Sequence, residues 1–407
     1  MKLGLAALLH PKFRWFLLGS FFSATGLWMV RLAQSLLAVS SGGGTSLGLT
    51  MAAQFIPVLL LSAPIGLLAD RFGPPRVLIV GELVMAVTVA TQAVILMTHA
   101  FQPWQGYVFA VCLGIGSAMD NPTRLSSIPA MVPSSAVVSA VSLNMVALQI
   151  GRLVGPTAAG YFSDGLGLGA AFASAAITFG LFAIVLGILI RLADDIPARS
   201  AREPRALRAG FVYVRSRPDL GLMFLVVGVG GLVGPNLPNL ATLMVLEVFE
   251  GDAGDVGMVS AVLAVGALLG VAWTTRRGRT GVRSVAIASV LTGITSAVTA
   301  IAPNLLVYSL LMLPAGFAAL FMVSQASALL QLNVAEVVRG RVTALYSVVL
   351  VAGVPVVSPV IGVLSDLVGT RWAVLGAGTT VAVINLSAYL IWRAHLPIAS
   401  ESCELLP

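Results

Sequence analysis

Five charged residues lie inside or at the ends of long apolar runs: Arg31, Glu82, Asp120, Arg152 and Glu247, with Arg124 one turn beyond Asp120. A charge at the centre of a hydrocarbon layer costs about 2.5–3.5 kcal/mol on insertion scales, so such residues are usually paired or functional. The chemistry open to them is ion pairing, proton carriage and contact with a charged solute. Covalent catalysis has no comparable support. The three histidines, His10, His99 and His395, fall far apart in or beside loops. There is no H-E-x-x-H, no paired-aspartate motif and no glycine-rich loop followed by lysine, so neither a metal enzyme nor a nucleotide-driven machine is indicated. Cys112 and Cys403 have no partner at metal or disulfide spacing.

Polar uncharged residues add candidates. Gln34 follows Arg31 by nearly one helical turn, so the two share a face. Asn236 and Asn239 flank Pro235 and Pro238 in GPNLPN, where the prolines break a helix in mid-membrane and free backbone groups to face a substrate. Gln325 is a further cavity candidate, although helix–helix bonding is the commoner role of a single amide. Arg31 can meet an anionic substrate or Glu247, or it can be a structural ion pair or an arginine snorkelling to the outer interface. Arg152 can be a lock between helices or a proton-coupling group. Glu82, Asp120 and Arg124, together with Asp70, Arg71 and Arg76, can form a charge network on the cytosolic side.

The elements that must hold these residues are set by composition. Of 407 residues, 58% are hydrophobic and only 10% charged, and mean hydropathy is +0.99. Soluble domains carry about 25% charged residues. The chain is therefore a multi-pass membrane protein, and its net charge of +7 belongs to loops at the membrane surface rather than to a nucleic-acid site. About 20 apolar residues cross a bilayer. Runs of that length give twelve predicted helices, at 14–40, 46–69, 77–98, 104–123, 136–162, 170–192, 220–247, 256–274, 284–302, 306–330, 342–366 and 372–392. With the N-terminus inside, 20 of the 23 lysines and arginines fall in cytosolic segments, which puts both termini in the cytoplasm of a cell (inner or plasma) membrane. The opening MKLGLAALLHPKFRWFLLGS reads as a cytosolic stub entering the first span, not as a removed signal peptide.

The division is six spans and six spans: an N-terminal half (1–192), a basic linker (193–219) ending in a short amphipathic stretch FVYVRSRPDL, a C-terminal half (220–392) and a tail (393–407). The pattern G-x-x-S-D-x-x-G occurs at Gly160–Gly167 and again at Gly362–Gly369, close to half a chain apart and at the same end of equivalent spans. Paired six-span repeats with a midplane site between them are a transporter architecture.

GLLADRFGPPR, between predicted spans 2 and 3, resembles the loop motif of the major facilitator superfamily, carried by Gly66, Asp70, Arg71, Gly73 and Arg76, with Pro75 in place of a basic residue. Gly151, Arg152, Gly155, Pro156 and Gly160 resemble the superfamily's antiporter motif, with Ala159 departing from it. SATGLWMVRLAQSLL and AMDNPTRLSSIPAMVP are similar to the transmembrane secretion effector branch, which includes the enterobactin exporter. The second-half counterpart of the loop, TTRRGRTGVR, has no acidic residue. The resemblance implies an all-α fold of two six-helix repeats, with spans 1, 4, 7 and 10 lining the cavity. It implies a gating role for Asp70 and an outer seal at the antiporter motif.

The expected function is secondary active transport. The sharpest form is proton-driven export of a small amphipathic compound (drug, siderophore or metabolite) by a monomer in the lipid bilayer, with no bound cofactor. A facilitator-fold importer and a non-transporting membrane sensor or assembly partner are the alternatives.

Overall fold

The computed structural model describes residues 2–191, 206–277 and 280–394. The start of the expected linker and nearly all of the expected tail lie outside the described residues, as do Arg199, Arg202, Arg205 and Arg279. Among the described residues the chain is helical without strands. Its α-helices are α1 (Pro11–Phe72), α2 (Pro74–Met97), α3 (Pro103–Ser127), α4 (Val137–Leu166), α5 (Leu168–Arg191), α6 (Ala206–Arg215), α7 (Pro218–Gly230), α8 (Leu237–Leu243), α9 (Ala253–Arg277), α10 (Val282–Thr299), α11 (Leu305–Asn333), α12 (Glu336–Val368) and α13 (Thr370–Ala394).

Among the described residues, ten helical segments are long and apolar enough to cross a membrane. The difference from twelve has two physical origins. Two predicted spans fall inside α1, which has no loop between them. It breaks instead at Gly42–Gly43, where Gly43 takes φ +63° and ψ −151°, a conformation open to glycine. The limbs on either side are 11–41 and 44–72. Helix α3 carries Gln105, Asp120, Asn121 and Arg124 and is too polar to qualify by composition.

Short turns make consecutive long helices antiparallel and divide the bundle into two ends. Gly73 (φ +87°), followed by Pro74 and Pro75, makes one tight turn; proline suits the first helical positions because its missing N–H is not needed there. The end holding this turn and the start of α1 is termed proximal. The end holding Gly43, Gly167 and Gly369 is distal.

The prolines and glycines of 231–238 do break the seventh predicted span, as read from the sequence. Helix α7 stops at Gly230, a 3-10 turn covers Gly234–Asn236, α8 follows, and a π-helical turn at Met244–Val248 ends the segment. Large apolar side chains such as Leu60, Val87, Ile177, Leu310 and Val356 are exposed on the long helices, as a lipid-facing exterior requires. The largest apolar core among the described residues joins the first limb of α1 to α2, α5, α8, α9 and α11.

Candidate functional site

The polar groups fall into three levels along the bundle. At the proximal level, Arg124 from the last turn of α3 is fully buried. Its Nη2 donates to Glu82 Oε1 at 2.9 Å, and its Nε donates to Asp120 Oδ1 at 2.9 Å. Its other donors reach Ser23 Oγ at 3.0 Å and the Ser20 carbonyl at 3.2 Å. Ser23 donates in turn to Glu82, and Ser20 to Asn144 of α4 at 2.8 Å. Phe182 of α5 covers the guanidinium at 4.9 Å. Two carboxylates thus share one cation in a dry setting, where a hydrogen bond to a charged group is strong and an unpaired charge costly.

This cluster differs from the network expected in the sequence. Glu82, Asp120 and Arg124 do meet. Asp70, Arg71 and Arg76 stay in the turn: Arg71 and Arg76 are exposed, Arg71 stacks on Phe72 at 5.3 Å, and Asp70 forms no ion pair among the described residues. All the side chains bonded in the cluster come from the first 191 residues, so it ties α1 to α2, α3 and α4 without bridging to the helices after residue 206.

At the middle level, Arg31 and Arg152 both lie over the ring of Trp28, each 4.8 Å from its centroid. Arg31 also faces Phe55 of the second limb at 5.5 Å. No pairing of Arg31 with Glu247 exists; Glu247 accepts from Thr370 Oγ1 instead. Gln34 shares no site with Arg31. It is buried and turns to Gln92 of α2 at 3.5 Å. Asn239 accepts from Ser35 Oγ at 3.4 Å, while Asn236 accepts from Ser358 Oγ at 2.7 Å and donates to the Leu232 carbonyl at 2.8 Å. Asn236 is therefore a helix-joining amide. Gln325 is fully buried, and both its amide atoms lack a partner among the described residues.

At the distal level the repeated motif takes on a function at each position. Asp366, at the end of α12, accepts from the backbone N–H of Gly44 and of Thr45, both at 2.8 Å, and so caps the second limb of α1. Asp164, at the end of α4, accepts from Gly254 N–H at 2.7 Å and caps α9. A carboxylate suits a helix N-terminus because four N–H groups there lack intrahelical partners and carry partial positive charge. Gly160 and Gly362 permit the close approach: a Cβ on Gly160 would sit 2.6 Å from Ala253 O, and one on Gly362 2.7 Å from the Gly44 carbonyl carbon. Gly167 (φ +85°) and Gly369 (φ +91°) end both helices with the same bond, to the carbonyl of Ser163 and of Ser365 at 3.0 Å.

The antiporter-like stretch of α4 divides its small residues between two neighbours. Gly151 and Gly155 press on α1 at Ala24–Thr25 and Trp28, and Pro156 and Gly160 press on α9 at Gly257 and Ala253–Gly254. Arg152, beside Gly151, is thereby carried to Trp28. Sequence reasoning did not single out Trp28, Asp164 or Asp366 as site residues. The repeat itself was the available signal for the two aspartates.

The family model for transmembrane secretion effectors matches residues 3–405. An uncharacterized MFS-type transporter, YfiS, of Bacillus subtilis (strain 168) is 25% identical over 205 residues, half of this chain and 46% of that protein. The staphyloferrin A transporter of Staphylococcus aureus (strain NCTC 8325 / PS 47) is 25% identical over 151 residues, 36% of this chain and 38% of that one. The matches thus span less than half the length of these curated relatives. In fold, the chain is similar to a bacterial homolog of the human lysosomal transporter Spinster in an inward-facing, unoccupied conformation (TM-score 0.75, 15% identity, covering 94% of this chain and 97% of that one). The nucleoside transporter NupG is equally similar (TM-score 0.75, 14% identity, 94% and 99%).

Proposed function

Because this chain belongs to the transmembrane secretion effector family of major facilitator transporters, we propose that it is a proton-driven exporter of a small amphipathic compound that works by alternating access. The observation that carries this reading is the matched pair of distal caps, Asp366 on Gly44–Thr45 and Asp164 on Gly254. Each joins a helix of the first 191 residues to one after residue 206, and each can be undone by a small separation, as a gate between rocking halves must be.

The wider reading follows from this pair. The two limbs of α1 and the polar α3 count as separate spans, which gives twelve helices in two six-helix repeats. The proximal end, which holds the loop arginines, is cytosolic in a cell membrane. The distal seal is then shut, and Asp70 is a latch that has let go of its partner. Glu82 and Asp120 share a single guanidinium, so the cluster can hold one more proton at little electrostatic cost; it is our candidate for proton coupling. The transporter works as a monomer without a bound cofactor.

The compound belongs to a drug, siderophore or metabolite class, and similarity to a staphyloferrin A transporter brings staphyloferrin A into the trial panel. The test uses inside-out vesicles carrying the protein, with dyes, drugs and siderophores supplied one at a time in the outer medium. Uptake should follow an imposed proton gradient. Absence of gradient-dependent flux across the panel counts against the exporter reading.

A further inference from the structure

We propose that Arg31 and Arg152, joined across Trp28, form an anion-binding site, and that the compound handled by this protein carries a carboxylate or phosphate group. The inference rests on the transporter reading and adds to it the charge of the substrate and the residues that read it.

The contrast with Arg124 carries the argument. That buried arginine is neutralised in full: two carboxylates, two serine hydroxyls and a backbone carbonyl take its donors. Arg31 and Arg152 have no such company. Neither forms an ion pair among the described residues, and Arg31 Nε is buried without a hydrogen-bond partner among them. Both cations contact the same indole, so their guanidinium carbons lie within twice 4.8 Å of each other. Two like charges held this close in a poorly solvated setting repel, and an anion between them removes the repulsion.

The aromatic contacts leave the right chemistry free. A guanidinium stacked on a ring uses its π face and keeps its N–H donors in the plane of the group, where they can fork onto two oxygens of a carboxylate or phosphate. Arg31 can be reached: it is only half-buried, as is Arg152. Its position also fits. Ser35, one turn distal on the same limb, contacts Asn239 of α8 at 3.4 Å, and the capped seal lies beyond it. The arginine pair thus lies on the proximal side of the closed end, about three turns of helix from the capping contacts. The indole and Phe55 offer an apolar surface beside the charge, as an amphipathic anion requires.

The test measures binding, with no gradient present, to the full chain in phosphatidylcholine nanodiscs. The probes are 2-naphthoate and 2-naphthyl phosphate, with 2-naphthamide and 2-naphthylmethylammonium as neutral and cationic matches. The anions should bind at least ten-fold more tightly than either match. Arg31→Gln and Arg152→Gln should each remove that preference, and Arg31→Lys should restore part of it, which a folding defect would not allow. A preference for the cation, or anion binding unchanged in both glutamine variants, overturns the proposal. A second arm replaces part of the lipid with phosphatidylglycerol. If this lipid competes with 2-naphthoate in the wild type and not in the glutamine variants, the anion is supplied by a lipid headgroup; if it does not compete, the site takes a free solute. Gradient-driven flux in vesicles is measured separately, so a failed anion site and a failed exporter reading give different results.

Discussion

Asp164 and Asp366 occupy the same place in two copies of one motif, and each caps the first turn of a helix from the other part of the chain: Asp164 Oδ2 lies 2.7 Å from Gly254 N, and Asp366 Oδ1 2.8 Å from Gly44 N. In the alternating access proposed above, both caps act on one equilibrium, opening of the distal end, so their contributions should add there. A carboxylate at an N-terminus contributes about 0.3–1 kcal/mol, and more when partly buried. Replacing it by asparagine keeps an acceptor and removes the charge. Asp164→Asn and Asp366→Asn should each shift the closed population roughly two- to five-fold, and the double variant by about the product. Spin labels at Ser40 and Glu250, both exposed at the distal end, report the shift as a longer distance component. Unchanged distance distributions in the double variant remove the gating role of both aspartates.

The glycines of the same seal make a steric prediction. A Cβ on Gly48 would lie 2.7 Å from Pro359 Cα, against backbone that cannot yield. Overpacking of this kind costs about 1–3 kcal/mol. Gly48→Leu should therefore favour the opened distal end in the same label pair. Gly187→Leu, where the added atom meets nothing within 4 Å, should leave the distances as they are. Equal behaviour of the two variants rules out backbone proximity as the source of the seal.

The parts of the fold legible in the sequence were those set by local chemistry. Runs of apolar residues gave the helices, loop arginines gave two distinct ends, and GPNLPN gave the broken segment, because proline cannot supply the ladder hydrogen bond. Glu82, Asp120 and Arg124 were legible as a group because a buried charge needs a partner. Choice of partner was not legible. Asp366 meets residues more than 300 positions away, and Gln34 turns to Gln92 although its spacing put it on the face of Arg31. Side-chain direction about a helix is settled by neighbours that packing brings in, and single-sequence periodicity does not contain them. The motif G-x-x-S-D-x-x-G marked the capping aspartates only as a repetition; their chemistry became clear once a helix start was found beside each.

The buried cluster around Arg124 predicts an asymmetry between stability and coupling. Removing the cation in Arg124→Gln leaves two carboxylates facing each other without compensation, and breaking a buried pair in this way costs about 3–5 kcal/mol. The variant should unfold at a lower temperature in detergent, and Glu82→Gln added to it should recover part of the loss by removing one of the two stranded charges. Glu82→Gln alone leaves Arg124 bonded to Asp120 at 2.9 Å. It should fold normally and keep gradient-independent exchange of substrate across the membrane, while losing accumulation driven by the proton gradient. Gradient-driven accumulation at the wild-type level in Glu82→Gln would exclude that carboxyl as the proton carrier.

The proximal turn predicts a variant whose effect depends on the state of the protein. Asp70 is only half-buried and has no ion pair among the described residues, and its neighbours Arg71 and Arg76 point outward. With the distal end closed, the Asp70 carboxylate contributes little to stability, and Asp70→Asn should change unfolding by less than about 0.5 kcal/mol, as for ordinary surface sites. In the opposite state of the proposed cycle the proximal ends come together, and a carboxylate there can reach a helix start as Asp164 and Asp366 do at the distal end. Neutralising it should then slow the closing of the proximal side and reduce flux several-fold, with membrane insertion intact. Vesicle flux and thermal unfolding measured on the same preparation separate the two effects. Wild-type flux in Asp70→Asn removes the latch, and a large loss of stability with reduced flux makes the residue structural instead.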